Sequence, residues 1–126
     1  MEEKRRINYR TRPETFEQLG DGSYYYNYDI QEVLIPSTEQ EESHTEWTCI
    51  QIMLWGPVSY TECVKGIIHL FINTDDELKL VNNYNCFVLG IGDETAKEQY
   101  LEYLDLRAEI KANVRRDFEL QNIPTD

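Results

Sequence analysis

The chain has almost no histidine: His44 and His69 are the two among 126 residues. Sites that need several imidazoles, such as most catalytic zinc centres, therefore have little to draw on. Cysteine is also sparse, and Cys49, Cys63 and Cys86 cannot all pair within one chain. None belongs to a C-x-x-C unit with downstream ligands, so a reduced, cytoplasmic compartment is the expectation and no metal is expected. No apolar run approaches the roughly 20 residues that cross a bilayer, and the opening residues are charged where a secretory leader would be apolar. Neither a membrane span nor a targeting segment is expected. Positive charge is short too, 12 Lys and Arg against 24 Asp and Glu, for a net charge of −12. A body of that sign repels phosphate, so nucleic-acid binding by the body is not expected.

What is present is enough apolar material for one core. Hydrophobic residues make up 40% of the chain and aromatics 12%, nine of them tyrosine, which excludes a disordered chain. At this length one domain is expected over residues 1–126, with residues 1–12 a basic arm and 120–126 a polar tail. In the arm Lys4, Arg5, Arg6, Arg10 and Arg12 face only Glu2 and Glu3, a net of +3 that leaves −15 for the remainder. Such an arm suits either an acidic partner or simple solubility.

Periodicity gives the elements. Residues 13–22 contain Phe16 and Leu19 and close on Gly20-Asp21-Gly22, a tight turn after a strand or irregular arm. Beyond it Tyr24, Tyr26, Tyr28, Ile30 and Leu34 share one side of a two-residue alternation, interrupted by Glu32, which predicts a half-buried strand. Pro36 ends the strand, and the acidic stretch 37–45 reads as an exposed loop. From Glu46 to Trp55, Ile50, Ile52 and Leu54 take one face and Trp47, Cys49, Met53 and Trp55 the other. That is the pattern of a strand placed centrally or covered on both sides, and the two strands form a long antiparallel hairpin.

Three helices follow. Gly56-Pro57 breaks the second strand, and Ser59 with Glu62 forms a capping box. Tyr60, Cys63, Val64, Ile67, Ile68 and Phe71 then make one apolar stripe, with His69 nearly opposite, on the solvent side. Thr74 with Glu77 opens a short helix expected to stop at Asn82-Asn83, and residues 84–91 read as a short strand or packed connection. Asp93 or Thr95 caps the last helix, in which Ala96, Tyr100, Tyr103, Leu104, Ile110, Val114 and Phe118 share a face. Its acidic start and its basic end at Lys111, Arg115 and Arg116 match the helix dipole. The expected fold class is α+β: an antiparallel sheet of two to four strands packed against three helices, the C-terminal helix longest.

The chemical motifs are incomplete. Cys63 and His69 lie on nearly opposite sides of one helix, so a thiol–imidazole pair cannot form between them locally. Gly90-Ile91-Gly92-Asp93 lacks the third glycine of a dinucleotide loop and the lysine of a phosphate loop, and reads as a turn with an N-cap. Neither Asp75-Asp76-Glu77 nor the acidic 39–42 run has the ligand order of a calcium loop. No catalytic, cofactor or metal residues are therefore assigned. The candidate interface residues are Tyr24, Tyr25, Tyr26 and Tyr28, with Trp47, Trp55, Arg10 and Arg12, because aromatics and arginine concentrate at interface centres. Tyr24, Tyr26 and Tyr28 also suit a simpler role, covering the helices.

The order Trp47, Gly56-Pro57, Tyr60, Val64, Ile67-Ile68, Phe71 and Thr74-Asp75-Asp76-Glu77 resembles a pattern in small uncharacterised proteins carried by phages and prophages of gut bacteria. There a tryptophan-bearing strand leads through a glycine to an aliphatic-pair helix and an acidic capped helix, often near virion or tail-fibre modules. The resemblance covers residues 46–83. It implies a non-catalytic structural or assembly protein, cytoplasmic or virion-associated, whose partner is a second copy or a virion component. It brings no catalytic or ligand residues with it. The alternative is a small-ligand or carbohydrate-binding module that uses the tyrosine-rich sheet face.

Overall fold

The computed structural model describes residues 6–126. Lys4, Arg5 and the two opposing glutamates of the basic arm lie outside the described residues. Four strands, β1 (Ile7–Tyr9), β2 (Phe16–Gln18), β3 (Ser23–Ile35) and β4 (His44–Trp55), precede three helices, α1 (Tyr60–Phe71), α2 (Thr74–Val88) and α3 (Glu94–Leu120). The strands form one antiparallel sheet in the order β1-β4-β3-β2, and α3 is the longest helix. This is the α+β class expected from the pattern, with β4 internal to the sheet. No helix among the described residues is long and apolar enough to cross a membrane.

Alternation along β3 and β4 decides which side chains enter the core. Tyr24, Tyr26 and Tyr28 pair with Leu54, Ile52 and Ile50, and this face packs against the helices. α1 contributes Tyr60, Cys63, Val64, Ile67 and Ile68, and α3 contributes Tyr103, Ile110, Val114 and Phe118. Each fully buried branched or aromatic side chain contributes roughly 1.5–3 kcal/mol of transfer free energy. Gly66 lets α1 come close to the sheet: a Cβ there would stand 2.7 Å from Ile52 Cδ1.

The alternation does not run through β3 unbroken. Register shifts between Tyr28 and Gln31, where Asp29 takes a left-handed backbone (φ 54°). Asp29 and Ile30 of β3 then stand opposite the single Cys49 of β4, so every β3 side chain beyond the bulge changes face. Glu32 opposes Trp47 and Leu34 opposes Thr45 on the face away from the helices, and Leu34 is 71% exposed. The expectation that Leu34 shares the face of Tyr24 is thereby corrected. Glu32 no longer interrupts an apolar row, because that row has moved.

β1 and β2 occupy opposite sheet edges, so residues 10–15 must cross the sheet. Arg12 lies 5.7 Å from the Trp47 ring centre, and Asn27 Nδ2 donates to the Glu14 carbonyl at 2.6 Å. Both partners point away from the helices by alternation, which puts the crossing on that face. It accounts for the complete burial of Cys49 and Asn27 there. The polar tail is tied down as well, since Asp126 accepts from Ser59 Oγ (2.9 Å) and the Thr61 amide (3.2 Å) at the start of α1.

Ser59 caps α1 as its spacing with Glu62 predicts, but α2 departs from expectation at both ends. Its cap is Asn73, whose Oδ1 accepts from the Asp76 amide at 2.8 Å, not Thr74. The helix also continues through Asn82-Asn83 to Val88, so the 84–91 apolar run is largely helical. Tertiary packing overrides the weak helix preference of asparagine: Tyr84 stacks on Tyr100 at 4.6 Å and continues the ring series to Phe87. The left-handed residue after the helix is Gly90 (φ 83°).

The α2–α3 turn depends on Gly92, whose amide donates to the Cys86 carbonyl. A Cβ at Gly92 would stand 2.8 Å from the Phe87 amide nitrogen and 3.2 Å from two further backbone atoms. Backbone cannot yield as a side-chain tip can, so Gly92→Ala is expected to cost about 1–3 kcal/mol. Gly90→Ala meets open space and incurs only the left-handed penalty, about 1 kcal/mol. Urea unfolding of the two variants side by side checks the order.

Candidate functional site

The eight candidate interface residues do not form one surface. Tyr24 and Tyr26 are completely buried and Tyr28 nearly so, their rings enclosed between sheet and helices. They are corrected from interface to core, because the alternation that aligns them points them at α1 and α3. Their hydroxyls find partners there: Tyr26 donates to Asp117 Oδ2 (2.6 Å), Tyr28 accepts from Asn113 Nδ2 (2.9 Å), and Tyr24 lies 3.8 Å from Cys63 Sγ. A ligand module built on that ring ladder has no access to it.

The remaining candidates occupy the opposite sheet face at two separate places. Trp55 is 63% exposed, and half-buried Tyr25 sits across from exposed Met53 one pair further along. Eight residues away along β4, roughly 27 Å, half-buried Trp47 lies under Arg12. Arg10 stands beside it, bound to Glu41 (3.2 Å) and close to Glu46 (4.0 Å). Glu46 also accepts from His44 Nε2 at 2.6 Å, and that hydrogen bond holds the His44 pKa above its ordinary value.

Two of the thiols, Cys49 and Cys63, are shifted towards the protonated form. Burial pushes the Cys63 thiol up to about 12 and raises Cys49, whose Sγ lies 3.6 Å from Asn27 Oδ1. Among the described residues no three His, Cys, Asp or Glu side chains gather as a metal site. Every buried polar side-chain atom among them has a hydrogen-bond partner.

Burial also acts on Asp117, lifting its carboxyl above 3.8 while the Tyr26 hydrogen bond pulls the other way. A raised folded value means that this group's contribution to stability is full below pH 3.8 and is lost as pH rises through the folded value. Asparagine keeps an acceptor for Tyr26 without the buried charge. Asp117→Asn is therefore expected to raise Tm at pH 7, with the gain disappearing below pH 3.8; thermal melts across that range test it.

A cleft that the sequence pattern did not reveal lies among the three helices. Its volume is about 700 Å³. Tyr60, Val64 and Ile68 of α1, Val81 of α2, and Tyr100 and Tyr103 of α3 form its apolar surface. Lys65, Arg107 and Lys111 stand around it, and none has a carboxylate within 4.0 Å among the described residues. Glu77 is its carboxylate; it accepts from the Tyr103 hydroxyl and lies 3.8 Å from His69 Nε2. His69 is accordingly a half-buried cleft residue rather than a surface one, because α2 folds back over that side of α1. One signal was available: Tyr100, Tyr103, Arg107 and Lys111 recur at three- and four-residue spacing along α3, beside its core stripe.

Above the cleft, α2 and α3 form an antiparallel helical hairpin joined by residues 89–93. No residue of α2 is buried. At the tip Val88, Leu89 and Ile91 are 62%, 74% and 76% exposed, and Leu78 beside the cleft is 56% exposed. No protein-family model, curated protein or solved structure matches the chain. The geometry therefore defines the class: an α+β domain with a helical hairpin and a cation-edged apolar cleft at its base.

Proposed function

We propose that the chain is a non-catalytic interaction module, a phage-related structural or assembly component that works through protein–protein contacts. The observation that carries this reading is the apolar surface of the α2–α3 hairpin. A fifteen-residue helix with no fully buried residue, followed at its tip by exposed Val88, Leu89 and Ile91, is poorly accounted for as part of a lone domain. Contiguous exposed apolar surface on a folded domain marks a contact site more often than not. The protonated, enclosed environments of Cys49 and Cys63 support the non-catalytic part of the reading. The resemblance over residues 46–83 makes a virion component or a second copy the partner to test first.

Size-exclusion chromatography with light scattering, alone and after incubation with phage and host lysates, tests this. A mass above 15.0 kDa for the chain, or a defined complex lost on Leu89→Glu or Ile91→Glu, is expected. A strict monomer at every concentration with no recovered partner overturns the reading. So does alkylation of buried Cys49 or Cys63 at neutral pH that outpaces half-buried Cys86, which would point to an activated thiol.

A further inference from the structure

We propose that the cleft among α1, α2 and α3 is a docking groove for an acidic amphipathic helix of a partner protein. The inference rests on the interaction reading and specifies the partner's chemistry. Two features of the groove select the occupant.

The first is shape. Along α3 the lining runs from Tyr100 to Lys111, and along α1 from Tyr60 to His69. Eleven residues of helix advance roughly 16 Å, so the groove accepts about three turns of a helix laid along it. Its apolar surface is discontinuous, with half-buried Val81 and exposed Leu78 on one wall, half-buried Tyr100 between, and only the edges of the core residues Val64, Ile68 and Tyr103 (6%, 5% and 2% exposed) showing at the floor. Such a floor takes separate side-chain anchors at i, i+3 or i+4, and i+7, the helix-in-groove mode of recognition. Tyr100 and Tyr103 are fixed in place, stacked at 6.1 Å with Tyr100 also on Tyr84. The surface is thus organised before a partner arrives, which lowers the ordering cost of binding.

The second is charge. The chain as a whole is strongly acidic, yet the groove edge carries Lys65 on α1 and Arg107 and Lys111 on α3. Arg115, one turn beyond Lys111, lies 5.6 Å from the Tyr60 ring centre. The arm arginines at positions 6 and 10 are matched by Asp29, Glu41 and Glu46, whereas the three groove cations have no carboxylate partner among the described residues. Glu77, the carboxylate within the groove, accepts from the Tyr103 hydroxyl and lies 3.8 Å from His69 Nε2, and one carboxylate against three cations leaves the groove edge positive. A basic or neutral helix would leave this edge unanswered. An acidic one pairs with it, and cations on a rim act mainly on orientation and specificity. Repulsion from acidic side chains more than a Debye length away, about 8 Å at physiological salt, is largely screened, so the cations at the groove edge act most strongly on a docked helix.

The probe is a fluorescein-labelled synthetic helix with leucines at i, i+3, i+4 and i+7 flanked by glutamates, titrated with the full chain and read by anisotropy. A control peptide replaces the glutamates with lysines, and sodium dodecanoate serves as an unlabelled competitor that separates a plain carboxylate-bearing chain from a helix. Saturable binding of the acidic peptide is expected, at least about tenfold tighter than the control. Lys65→Glu with Lys111→Glu, both exposed side chains, should abolish the preference without altering circular dichroism or Tm. Leu78→Glu should weaken both peptides by removing apolar wall. Equal binding of the two peptides, no binding at millimolar chain, undiminished binding by the charge-reversed variant, or full displacement by dodecanoate at equal concentration overturns the proposal. A partner recovered from lysate whose binding survives the charge reversal overturns it too, while leaving the interaction reading in place.

Discussion

Phe118→Ala is expected to destabilise the fold by about 3–5 kcal/mol, the range for removing a buried aromatic ring. The ring is completely buried where three elements meet. Phe16 of β2 presents an edge at 5.2 Å and Tyr60 of α1 at 5.8 Å, while Phe16 itself stacks on Tyr26 at 5.0 Å. The hole left behind cannot close easily. Tyr26 is anchored through its hydroxyl to Asp117 on α3, and Tyr60 directs its own hydroxyl at the Lys111 carbonyl at 3.4 Å. A cavity that its surroundings cannot fill keeps both the lost transfer energy and the cavity penalty, which favours the upper part of the range. Two residues on, Leu120 is 70% exposed, and Leu120→Ala is expected to change stability by no more than about 0.5 kcal/mol. Denaturant midpoints for the two variants at an unchanged m-value measure both. A Phe118→Ala loss near that of Leu120→Ala would mean the ring cluster is not the centre of the core.

The features written in side-chain period were legible before the structure. Tyr24, Tyr26 and Tyr28 against Ile50, Ile52 and Leu54 state one hairpin face, and the Tyr60 to Ile68 stripe after Ser59 states where α1 begins and which side it buries. The Gly90 turn also follows directly, and of the two candidate caps, Asp93 and Thr95, the helix takes Asp93. What did not follow depends on contacts between distant residues. The bulge at Asp29 has no glycine to announce it, yet it moves Leu34 to the other face. Asn82-Asn83 looks like a stop, and only the stacking of Tyr84 on Tyr100 carries α2 past it. Three-residue strands such as β1 and β2 are too short to show a period. The cleft is the extreme case: its lining comes from three helices, and the α3 spacing of Tyr100, Tyr103, Arg107 and Lys111 gives only one wall of it. The tyrosines were conspicuous in sequence for their number, but their alternation already carried the information that they face inward.

Arg6→Ala is expected to cost about 2 kcal/mol, in keeping with the loss of charge-assisted hydrogen bonds at a partly buried site. Arg6 precedes β1 and reaches across to the bulge. Its Nη1 meets Asp29 Oδ2 at 3.0 Å, its Nε donates to Thr48 Oγ1 at 3.2 Å, and its Nη2 donates to the carbonyls of Asp29 and Thr48. One guanidinium thus joins β3 to β4 at the point where the ladder between them is interrupted. Asp29, held at positive φ, also accepts from Gln31 Nε2 at 2.9 Å, so the turn in the strand is stabilised from both sides. The ion pair alone is worth little, because the Asp29 side chain is 37% exposed and solvent screens it. The larger share comes from geometry: removing Arg6 leaves the Thr48 hydroxyl and carbonyl, at a residue only 8% exposed, without that donor. Arg6→Lys keeps the charge but cannot supply several donors in one plane, so it should recover less than half of the loss. Amide exchange localises the effect. Faster exchange at residues 29–32 and 47–48 in Arg6→Ala, with the α1 and α3 amides unchanged relative to global stability, is the expected pattern. Uniform acceleration would show instead that Arg6 acts on the whole domain and not on the bulge.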